Sequence, residues 1–245
     1  MNIAIIVAAG EGKRMGGERV KQFREIGGVP IIIQTLGRFE QSAEIGEVVV
    51  VLPPAETAGF LALAGKHGLK KLARVVQGGA TRMESVWQGL RAVRAATAEI
   101  VAVHDGVRPF VSPEEIDRTV RAASAGGAAI LVAPVTDTIK EVADGRITRT
   151  PERASLRRAL TPQCFRYDLL RRAYEQALNE GIEATDDSAL VERLGVIVIA
   201  VEGDPRNIKI TRPEDIALAE ILLKAEVRGQ RSEVSENNSL SLTDL

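Results

Sequence analysis

The sequence predicts an α/β protein with a Rossmann-like fold: a mostly parallel, twisted sheet with helices on both faces, from which a β-hairpin arm projects. Three observations predict it. Short β-branched apolar runs recur along the chain, amphipathic stretches of helical periodicity lie between them, and one stretch interrupts this alternation with a hairpin turn. With 245 residues, of which 45% are hydrophobic, the chain has the size and composition of one globular domain with a sizeable core.

The predicted strands are apolar runs bounded by Gly, Pro or charged residues. They cover residues 2–8, 47–52, 73–77, 99–103, 128–133 and 196–201. Helical patterns lie between them at 30–40, 81–95 and 112–125. The third of these begins with a capping box, Ser112-Pro113-Glu114-Glu115, and Thr211-Arg212-Pro213-Glu214 begins another helix in the same way. Strands that alternate with helices run parallel and have both faces covered, which is the basis of the predicted sheet.

One stretch, residues 136–151, breaks the alternation. It carries Asp144-Gly145, a two-residue turn typical of β-hairpins, and it is predicted to project as the arm. The last twenty residues, 226–245, are rich in Ser, Glu and Asn and have little periodicity. We therefore expect a single domain over residues 1–225 and a mobile tail over 226–245.

Composition excludes several classes of function. The longest apolar runs are far below the roughly 18–20 residues that a membrane span needs, so no membrane association is expected. Basic and acidic residues balance at 32 against 33, and aromatic residues make up only 3%, which argues against nucleic-acid binding. The single cysteine, Cys164, is predicted to be a packed residue, and it can form neither an internal disulfide nor a multi-cysteine metal site. These observations favour a cytoplasmic protein that acts on small molecules.

The loop after the first strand, residues 8–16, combines glycines with basic side chains. Gly10 and Gly12 allow the backbone to approach a phosphate at the carboxyl end of a strand. Position 15 is Met, so the dinucleotide-binding pattern G-x-G-x-x-G is broken, and no P-loop motif is present. Cations beside a glycine loop suit a nucleoside triphosphate. A tight turn with solvated charges is the alternative that these residues alone leave open.

Further motifs follow in order along the chain. They are Ala8-Ala9-Gly10-x-Gly12-x-Arg14-Met15 with Lys21-Gln22, Gly78-Gly79-x-x-Arg82-x-x-Ser85, His104-Asp105-x-x-Arg108-Pro109, Leu160-Thr161-Pro162-Gln163, Thr185-Asp186-Asp187 and Asn207-Ile208-Lys209-x-Thr211. Together they resemble the 2-C-methyl-D-erythritol 4-phosphate cytidylyltransferase family of the non-mevalonate isoprenoid pathway. The resemblance covers everything but the tail. Ala80 and Gly106-Val107 depart from residues that are common in the family, and Ala80 puts one base or ribose contact in doubt.

The resemblance implies a nucleotidyltransferase of EC class 2.7.7 that transfers CMP from CTP to 2-C-methyl-D-erythritol 4-phosphate and releases pyrophosphate. A ribitol 5-phosphate cytidylyltransferase is the alternative within the same framework. A nicotinamide-dependent oxidoreductase is disfavoured, because neither Tyr167 nor Tyr174 is followed by Lys four residues later. A non-catalytic binding protein is the third possibility, and cations at so many motif positions argue against it.

The implied reaction joins two polyanions, so it needs cations and a divalent metal rather than His or Cys chemistry. Catalytic roles are expected for Arg14 and Lys21, on the triphosphate and the transition state. Mg²⁺ or another divalent cation is the expected cofactor, and Asp105, which follows a strand, is its candidate ligand, directly or through water; orienting Arg108 is the alternative. His104 is predicted to be a packed or capping residue and not a catalyst.

The resemblance also implies the remaining site residues. Nucleotide contacts are expected from Ala8, Ala9, Gly10, Gly12, Gly79, Arg82, Ser85 and Asp105. Arg153, Thr185 and Lys209 match family positions that hold the polyol phosphate, and Thr185 is also predicted to cap a helix over 186–194. Apolar residues on the arm predict a homodimer that two arms clasp; an arm that folds back on its own domain, in a monomer, is the alternative. The resemblance implies the same dimer, with Arg153 at the base of the arm in the active site either of its own or of the neighbouring subunit.

Overall fold

The structure, a computed structural model, describes residues 1–10 and 20–240, with side chains as far as residue 228. Gly12 and Arg14, two of the predicted site residues, lie outside the described residues.

The strands of this part of the chain are numbered in chain order. They are β1 (Asn2–Val7), β2 (Glu25–Ile26), β3 (Val29–Pro30), β4 (Ile45–Leu52), β5 (Leu72–Gln77), β6 (Ile100–Asp105), β7 (Ala128–Pro134), β8 (Glu141–Ala143), β9 (Arg146–Arg149), β10 (Arg157–Arg166) and β11 (Ile199–Glu202). The helices are α1 (Ile31–Gln41), α2 (Phe60–Lys66), α3 (Arg82–Ala92), α4 (Pro113–Gly126), α5 (Tyr167–Asn179), α6 (Asp187–Glu192) and α7 (Pro213–Leu240). None of the helices in residues 1–10 and 20–240 is both long and apolar enough to cross a membrane.

The main sheet has seven strands in the order β11-β7-β10-β6-β1-β4-β5. β10 runs antiparallel to both of its neighbours, and the other pairs are parallel. The predicted mostly parallel α/β sheet is therefore confirmed. The chain moves outward from β1 to β4 and β5 on one side and to β6 on the other. Ligands of such sheets bind in the crevice beyond the carboxyl ends of the strands at this point of reversal.

The two faces of the sheet carry separate layers of core residues, as the two-residue period of a strand requires. Along β1, Ile3 and Ile5 face a cluster that includes Val86 of α3 and Tyr174 of α5. Ala4 and Ile6 of the same strand face the opposite cluster, which contains Leu36 and Phe39 of α1 and Val120 of α4. All these side chains are fully or almost fully buried. The helices thus cover both faces, as predicted.

Strand β10 is absent from the predicted strands. Arg157 and Arg158 open it and Pro162 lies inside it, so its apolar pattern is broken, and its pairing with β7 shifts in register between Ala159 and Gln163. Residues 160–165 are nevertheless buried, because β10 is inserted between β6 and β7 in the middle of the sheet. The strand brings the Leu160-Thr161-Pro162-Gln163 motif beside the carboxyl end of β6.

The predicted cap of α6 is wrong by one residue. Asp186 occupies the N-cap in an extended conformation, and its Oδ1 accepts a hydrogen bond of 3.1 Å from the Ala189 amide. Its short carboxylate reaches the third amide of the helix, which is the geometry that N-caps favour. Thr185 lies one residue before the cap and is exposed.

Strands β8 and β9 form the predicted hairpin. Asp144 and Gly145 connect them with φ of 50° and 73°, as a two-residue hairpin turn requires. Every residue from 136 to 150 is exposed, so the hairpin projects as an arm. Helix α7 continues to Leu240, past the predicted start of the tail at 226, and the mobility of that stretch stays a prediction.

Candidate active site

A cleft of about 610 Å³ opens at the carboxyl ends of β1, β4, β5 and β6. Segments that follow each of these strands form its walls, and Lys21 and Lys209 contribute to the lining. Its lining residues are Val7, Ala8, Ala9, Gly10, Lys21, Pro53, Pro54, Gly78, Gly79, Ala80, Thr81, Arg82, Ser85, Asp105, Val107 and Lys209. Nine of the predicted site residues are among them: Ala8, Ala9, Gly10, Lys21, Gly79, Arg82, Ser85, Asp105 and Lys209.

Two glycines let the loop after β5 approach the loop after β1. A Cβ on Gly78 would overlap the Cβ of Ala9 and would lie 2.9 Å from the Ser85 Oγ, so no larger residue fits there without a shift. The Gly79 amide donates to Ser85 Oγ over 3.2 Å, and that hydroxyl lies 2.8 Å from the Thr81 carbonyl oxygen. Ser85 therefore fixes the shape of this wall as well as lining it.

The wall formed by β1 is held by its own main-chain partners. The Ala8 amide donates to the Val51 carbonyl over 2.8 Å, and the Ala8 carbonyl accepts from the buried Gln22 Nε2 over 2.6 Å. Both main-chain groups of Ala8 thus already have partners inside the chain. Gln22 follows Lys21 directly in a short 3₁₀ turn, so its bond to Ala8 holds Lys21 at the cleft.

Asp105, at the end of β6, is the only carboxylate that lines the cleft among the described residues. Its Oδ2 lies 2.9 Å from Lys209 Nζ and 3.3 Å from Arg108 Nε, and its Oδ1 lies 3.5 Å from Arg82 Nε. Burial by itself would raise the pKa of Asp105, but these three cations outweigh burial and hold the pKa well below its usual range. Asp105 is therefore ionised at neutral pH.

Arg82 joins two carboxylates that come from distant parts of the chain. Besides Asp105, it contacts Asp187 of α6 through two bonds, Nη1 to Oδ1 over 3.2 Å and Nη2 to Oδ2 over 2.7 Å. Asp187 is fully buried and also accepts a hydrogen bond from the Tyr174 hydroxyl. Burial would lower the pKa of Arg82, but Asp187 and Asp105 together raise it. A bidentate pair of this kind fixes the plane of a guanidinium.

His104 is a packed residue, as predicted. It is fully buried, and its ring lies 4.9 Å from that of Phe39. Its Nε2 lies 3.1 Å from the Arg108 carbonyl oxygen and its Nδ1 lies 2.9 Å from Thr161 Oγ1. A carbonyl only accepts, so Nε2 carries the proton and Nδ1 accepts from the Thr161 hydroxyl. Burial lowers the pKa of His104 to about 4, so the ring is neutral at physiological pH.

The three residues expected to hold the polyol phosphate lie in different places. Lys209 is in the cleft, and Thr185 precedes the helix whose Asp187 holds Arg82. Arg153 is exposed at the base of the arm, where its Nη1 donates to the Thr136 carbonyl over 2.9 Å, and it does not line the cleft of its own chain.

Several residues of the site were not identified from the sequence as contacts or supports. Pro53, Pro54 and Thr81 line the cleft, and Asp187 and Thr161 support it from behind. Asp187 and Thr161 do lie inside motifs that the sequence displays, so the sequence marked these two residues but did not indicate what they do. Pro53 and Pro54 gave none, because a Pro pair after a strand is ordinary loop sequence.

The donor set for a metal is small. No group of three or more His, Cys, Asp or Glu side chains gathers within residues 1–10 and 20–240. Mg²⁺, however, is commonly held by one or two carboxylates together with substrate phosphates and water. The single carboxylate of Asp105 therefore fits a cation that arrives with a triphosphate, and it does not fit a closed protein cage.

Comparison with known proteins gives a consistent result. The IspD family model, described as 2-C-methyl-D-erythritol 4-phosphate cytidylyltransferase, matches residues 2–225. A protein of that name from Geobacter metallireducens is 45% identical over 228 residues, which cover 91% of this chain and 98% of the relative. One from Geobacillus kaustophilus is 44% identical over 224 residues, which cover 91% and 97% of the two chains.

Solved structures are similar as well. The crystal structure of 2-C-methyl-D-erythritol 4-phosphate cytidylyltransferase from Thermus thermophilus has a TM-score of 0.74 at 37% identity and covers 91% of this chain and 100% of its own. That of 4-diphosphocytidyl-2C-methyl-D-erythritol synthase from Anaerococcus prevotii has a TM-score of 0.81 at 32% identity, with coverage of 91% and 96%.

Proposed function

The chain belongs to the 2-C-methyl-D-erythritol 4-phosphate cytidylyltransferase family, and from that premise we propose how its own residues carry out the reaction. It is a nucleotidyltransferase that transfers CMP from CTP to 2-C-methyl-D-erythritol 4-phosphate, giving 4-diphosphocytidyl-2-C-methyl-D-erythritol and pyrophosphate. The comparisons do not favour the ribitol 5-phosphate alternative. Its product is an intermediate of isoprenoid precursor synthesis.

The chemistry sets what the cleft has to supply. A phosphate oxygen of the acceptor attacks the α-phosphorus of CTP, a new P–O bond forms, and the bond to the bridging oxygen of the β-phosphate breaks. The second pKa of a phosphate monoester is about 6, so the attacking group is already largely a dianion at neutral pH and needs no general base. What it needs is cations that bring two polyanions together and neutralise the charge that develops on the α-phosphoryl oxygens.

The observation that carries the assignment is the convergence of Lys21, Arg82 and Lys209 on one cleft that Asp105 also lines. Lys21 is assigned to the triphosphate and the transition state, together with Arg14, which lies outside the described residues. The loop from Gly78 to Ser85 is assigned to the cytosine and ribose. It approaches Ala9 closely, and we assign the flat base to this narrow part of the cleft.

The acceptor is assigned to the opposite side of the cleft. Lys209 supplies a point charge for its phosphate, and Thr185 a hydroxyl for its polyol. The ion pair between Lys209 and Asp105 holds the ammonium group in place before the substrate arrives, at 2.9 Å. Arg153, at the base of the arm, does not line the cleft of its own chain, which supports its assignment to the site of a second subunit.

A divalent cation, Mg²⁺ in the first instance, is proposed to enter with CTP. Bound there, it would neutralise part of the triphosphate charge. Asp105 is the side chain that would face it, and the cations now on Asp105 would turn to the phosphate oxygens instead.

A homodimer is proposed through the arm. Val142 and Ile147 on the arm are 61% and 65% exposed, and Ile139 at its start is 39% exposed. A two-stranded ribbon is at best marginal in water by itself, so two such arms that clasp around a two-fold axis would bury this apolar surface and stabilise each other. A cytoplasmic location is also proposed, in line with the composition of the chain.

The test is pyrophosphate release, measured with each of the four nucleoside triphosphates against methylerythritol and ribitol phosphates, with and without Mg²⁺. Turnover is expected only with CTP and methylerythritol phosphate and only with the metal. Equal rates with ribitol 5-phosphate would overturn the substrate assignment, and full activity in excess EDTA would overturn the metal.

A further inference from the structure

The side chain of Gln163 makes three hydrogen bonds, and all of them go to the N-terminal end of helix α6. Gln163 lies in β10 and is 1% exposed. Its Oε1 accepts from the amides of Asp187 and Ser188, each over 3.0 Å, and its Nε2 donates to Asp186 Oδ2 over 3.0 Å. One amide group therefore holds the first turn of α6 against the central sheet.

The turn that Gln163 holds is linked to the residues assigned above to each of the two substrates. Asp187 grips the guanidinium of Arg82, on the nucleotide side of the cleft. Thr185 precedes the cap and is assigned to the acceptor. Because Asp187 is fully buried, the amides of this turn have no water to replace Gln163 if its side chain is lost. The turn would have to move to find partners, and Arg82 and Thr185 would move with it.

We propose that Gln163 is a positioning residue that fixes Arg82 and Thr185 relative to each other, so that the nucleotide and the acceptor phosphate meet in the correct geometry. It acts through Asp187 and Asp186 and touches neither substrate. The proposal rests on the roles assigned above to Arg82 and Thr185. A misplacement of reacting groups by about 1 Å is enough to lower a rate by orders of magnitude. The side-chain amide of Gln163 can therefore affect the rate without touching either substrate.

Glutamine is the residue type that this arrangement requires. Its carbonyl serves two backbone donors while its amide nitrogen serves a carboxylate. A glutamate would keep the acceptor but place a second carboxylate 3.0 Å from Asp186 Oδ2. An asparagine would be one methylene too short, and a methionine would fill the space without any hydrogen bond.

The experiment compares Gln163→Met with Gln34→Met. Gln34, in α1, also bonds backbone from a partly buried position, with Nε2 2.6 Å from the Ile26 carbonyl oxygen and 3.2 Å from that of Val29, but it lies away from the cleft. Both variants lose hydrogen bonds of similar kind, so both are expected to melt a few degrees lower. Gln163→Met is expected to raise KM for both substrates by about 10-fold and lower kcat, whereas Gln34→Met leaves both KM values within about twofold.

Two further variants separate this proposal from the site assignments. Arg82→Gln is expected to raise KM for CTP, and Thr185→Val is expected to raise KM for the acceptor. When either is combined with Gln163→Met, the effects on that KM should be less than multiplicative, because Gln163 acts through the same residue. Gln163→Glu, which keeps the acceptor for the two amides, serves in place of Gln163→Met if the latter does not fold.

The outcomes are distinct. If Arg82→Gln and Thr185→Val impair the enzyme but Gln163→Met behaves like Gln34→Met, the positioning role is overturned and the site assignments stand. Fully multiplicative effects in both double variants would likewise refute an action of Gln163 through Arg82 and Thr185. If Arg82→Gln and Thr185→Val leave both KM values unchanged, the assignments fail and the proposal falls with them.

Discussion

The buried imidazole of His104 predicts an acid-sensitive fold with a defined window. The pKa of His104 is about 4 in the folded protein, against its ordinary value of 6.5 in an unfolded chain, and burial is the cause. The unfolded chain therefore takes up this proton first as the pH falls. The free energy of unfolding must therefore decrease as the pH falls from about 6.5 to about 4, because lower pH favours the state that binds more protons.

The magnitude follows from the same two values. One pKa unit corresponds to 1.36 kcal/mol, so the whole difference amounts to about 3 kcal/mol, with a limiting slope of about 1.4 kcal/mol per pH unit. This is a large part of the 5–15 kcal/mol that typically stabilises a domain. Asp105 contributes in a lower window, since its pKa is held below the usual range and its contribution is lost only as the pH falls below about 4.

Urea unfolding at intervals from pH 4.5 to pH 7.5 measures this slope. His104→Asn removes the titrating group while it keeps an acceptor for Thr161, so the variant is expected to be less stable at pH 7.5 but flatter in its pH dependence. His67→Asn, which replaces the other histidine at an exposed position, is the matched control and should keep the wild-type slope.

Equal slopes in the wild type and the His104→Asn variant would refute the reasoning. So would a nitrogen-15 NMR titration in which the His104 ring gains its proton near pH 6.5, or one in which Nδ1 rather than Nε2 carries the proton at neutral pH.

Three further predictions concern the cleft and the arm. Lys21→Ala should lower kcat at least about 10²-fold with a smaller rise in KM for CTP, because it removes charge stabilisation of the transition state; near-normal kcat with weakened CTP binding would reassign Lys21 to binding alone. Gly78→Ala should weaken CTP binding about 10-fold or more in calorimetric titration, since its Cβ would displace the Ala9 wall, whereas Gly37→Ala, where a Cβ meets nothing within 4 Å, should bind CTP normally. Mixed dimers of Lys21→Ala and Arg153→Ala subunits should regain roughly half of the wild-type activity if Arg153 completes the partner's site. Absence of recovery after verified subunit exchange would place Arg153 in its own subunit's site.

The parts of the fold that the sequence predicts are those with a local signal. Runs such as 47–52 in β4 combine β-branched residues with clear boundaries, and Asp144-Gly145 specifies a hairpin through the φ values that few other pairs adopt. The capping box at Ser112 is equally local, and both of its hydrogen bonds are present. In each case the residues that make the signal are the residues that make the contact.

The features that sequence reasoning missed depend on distant partners. Strand β10 is held in the sheet by its pairing with β6 and β7 on either side. Its arginines and its proline interrupt the apolar pattern by which a strand is predicted from sequence. The choice between Thr185 and Asp186 as helix cap is settled by Gln163, which holds Asp186 and the first turn from another strand. The ion pair of Asp105 with Arg108 is local and was among the alternatives that the sequence offered, but its pairs with Arg82 and Lys209 join distant parts of the chain, which no local pattern encodes.

The three cations around Asp105 have a consequence for the end of the catalytic cycle. Pyrophosphate is a strong chelating anion, and a cleft with several uncompensated cations would retain it. Asp105 pairs with Lys209 and Arg82 and is ionised at neutral pH, so it would compete with that anion for these two cations. We therefore expect the ion pairs with Asp105 to form again at the end of each turnover, which would favour departure of pyrophosphate and disfavour binding of free inorganic phosphate in the cleft.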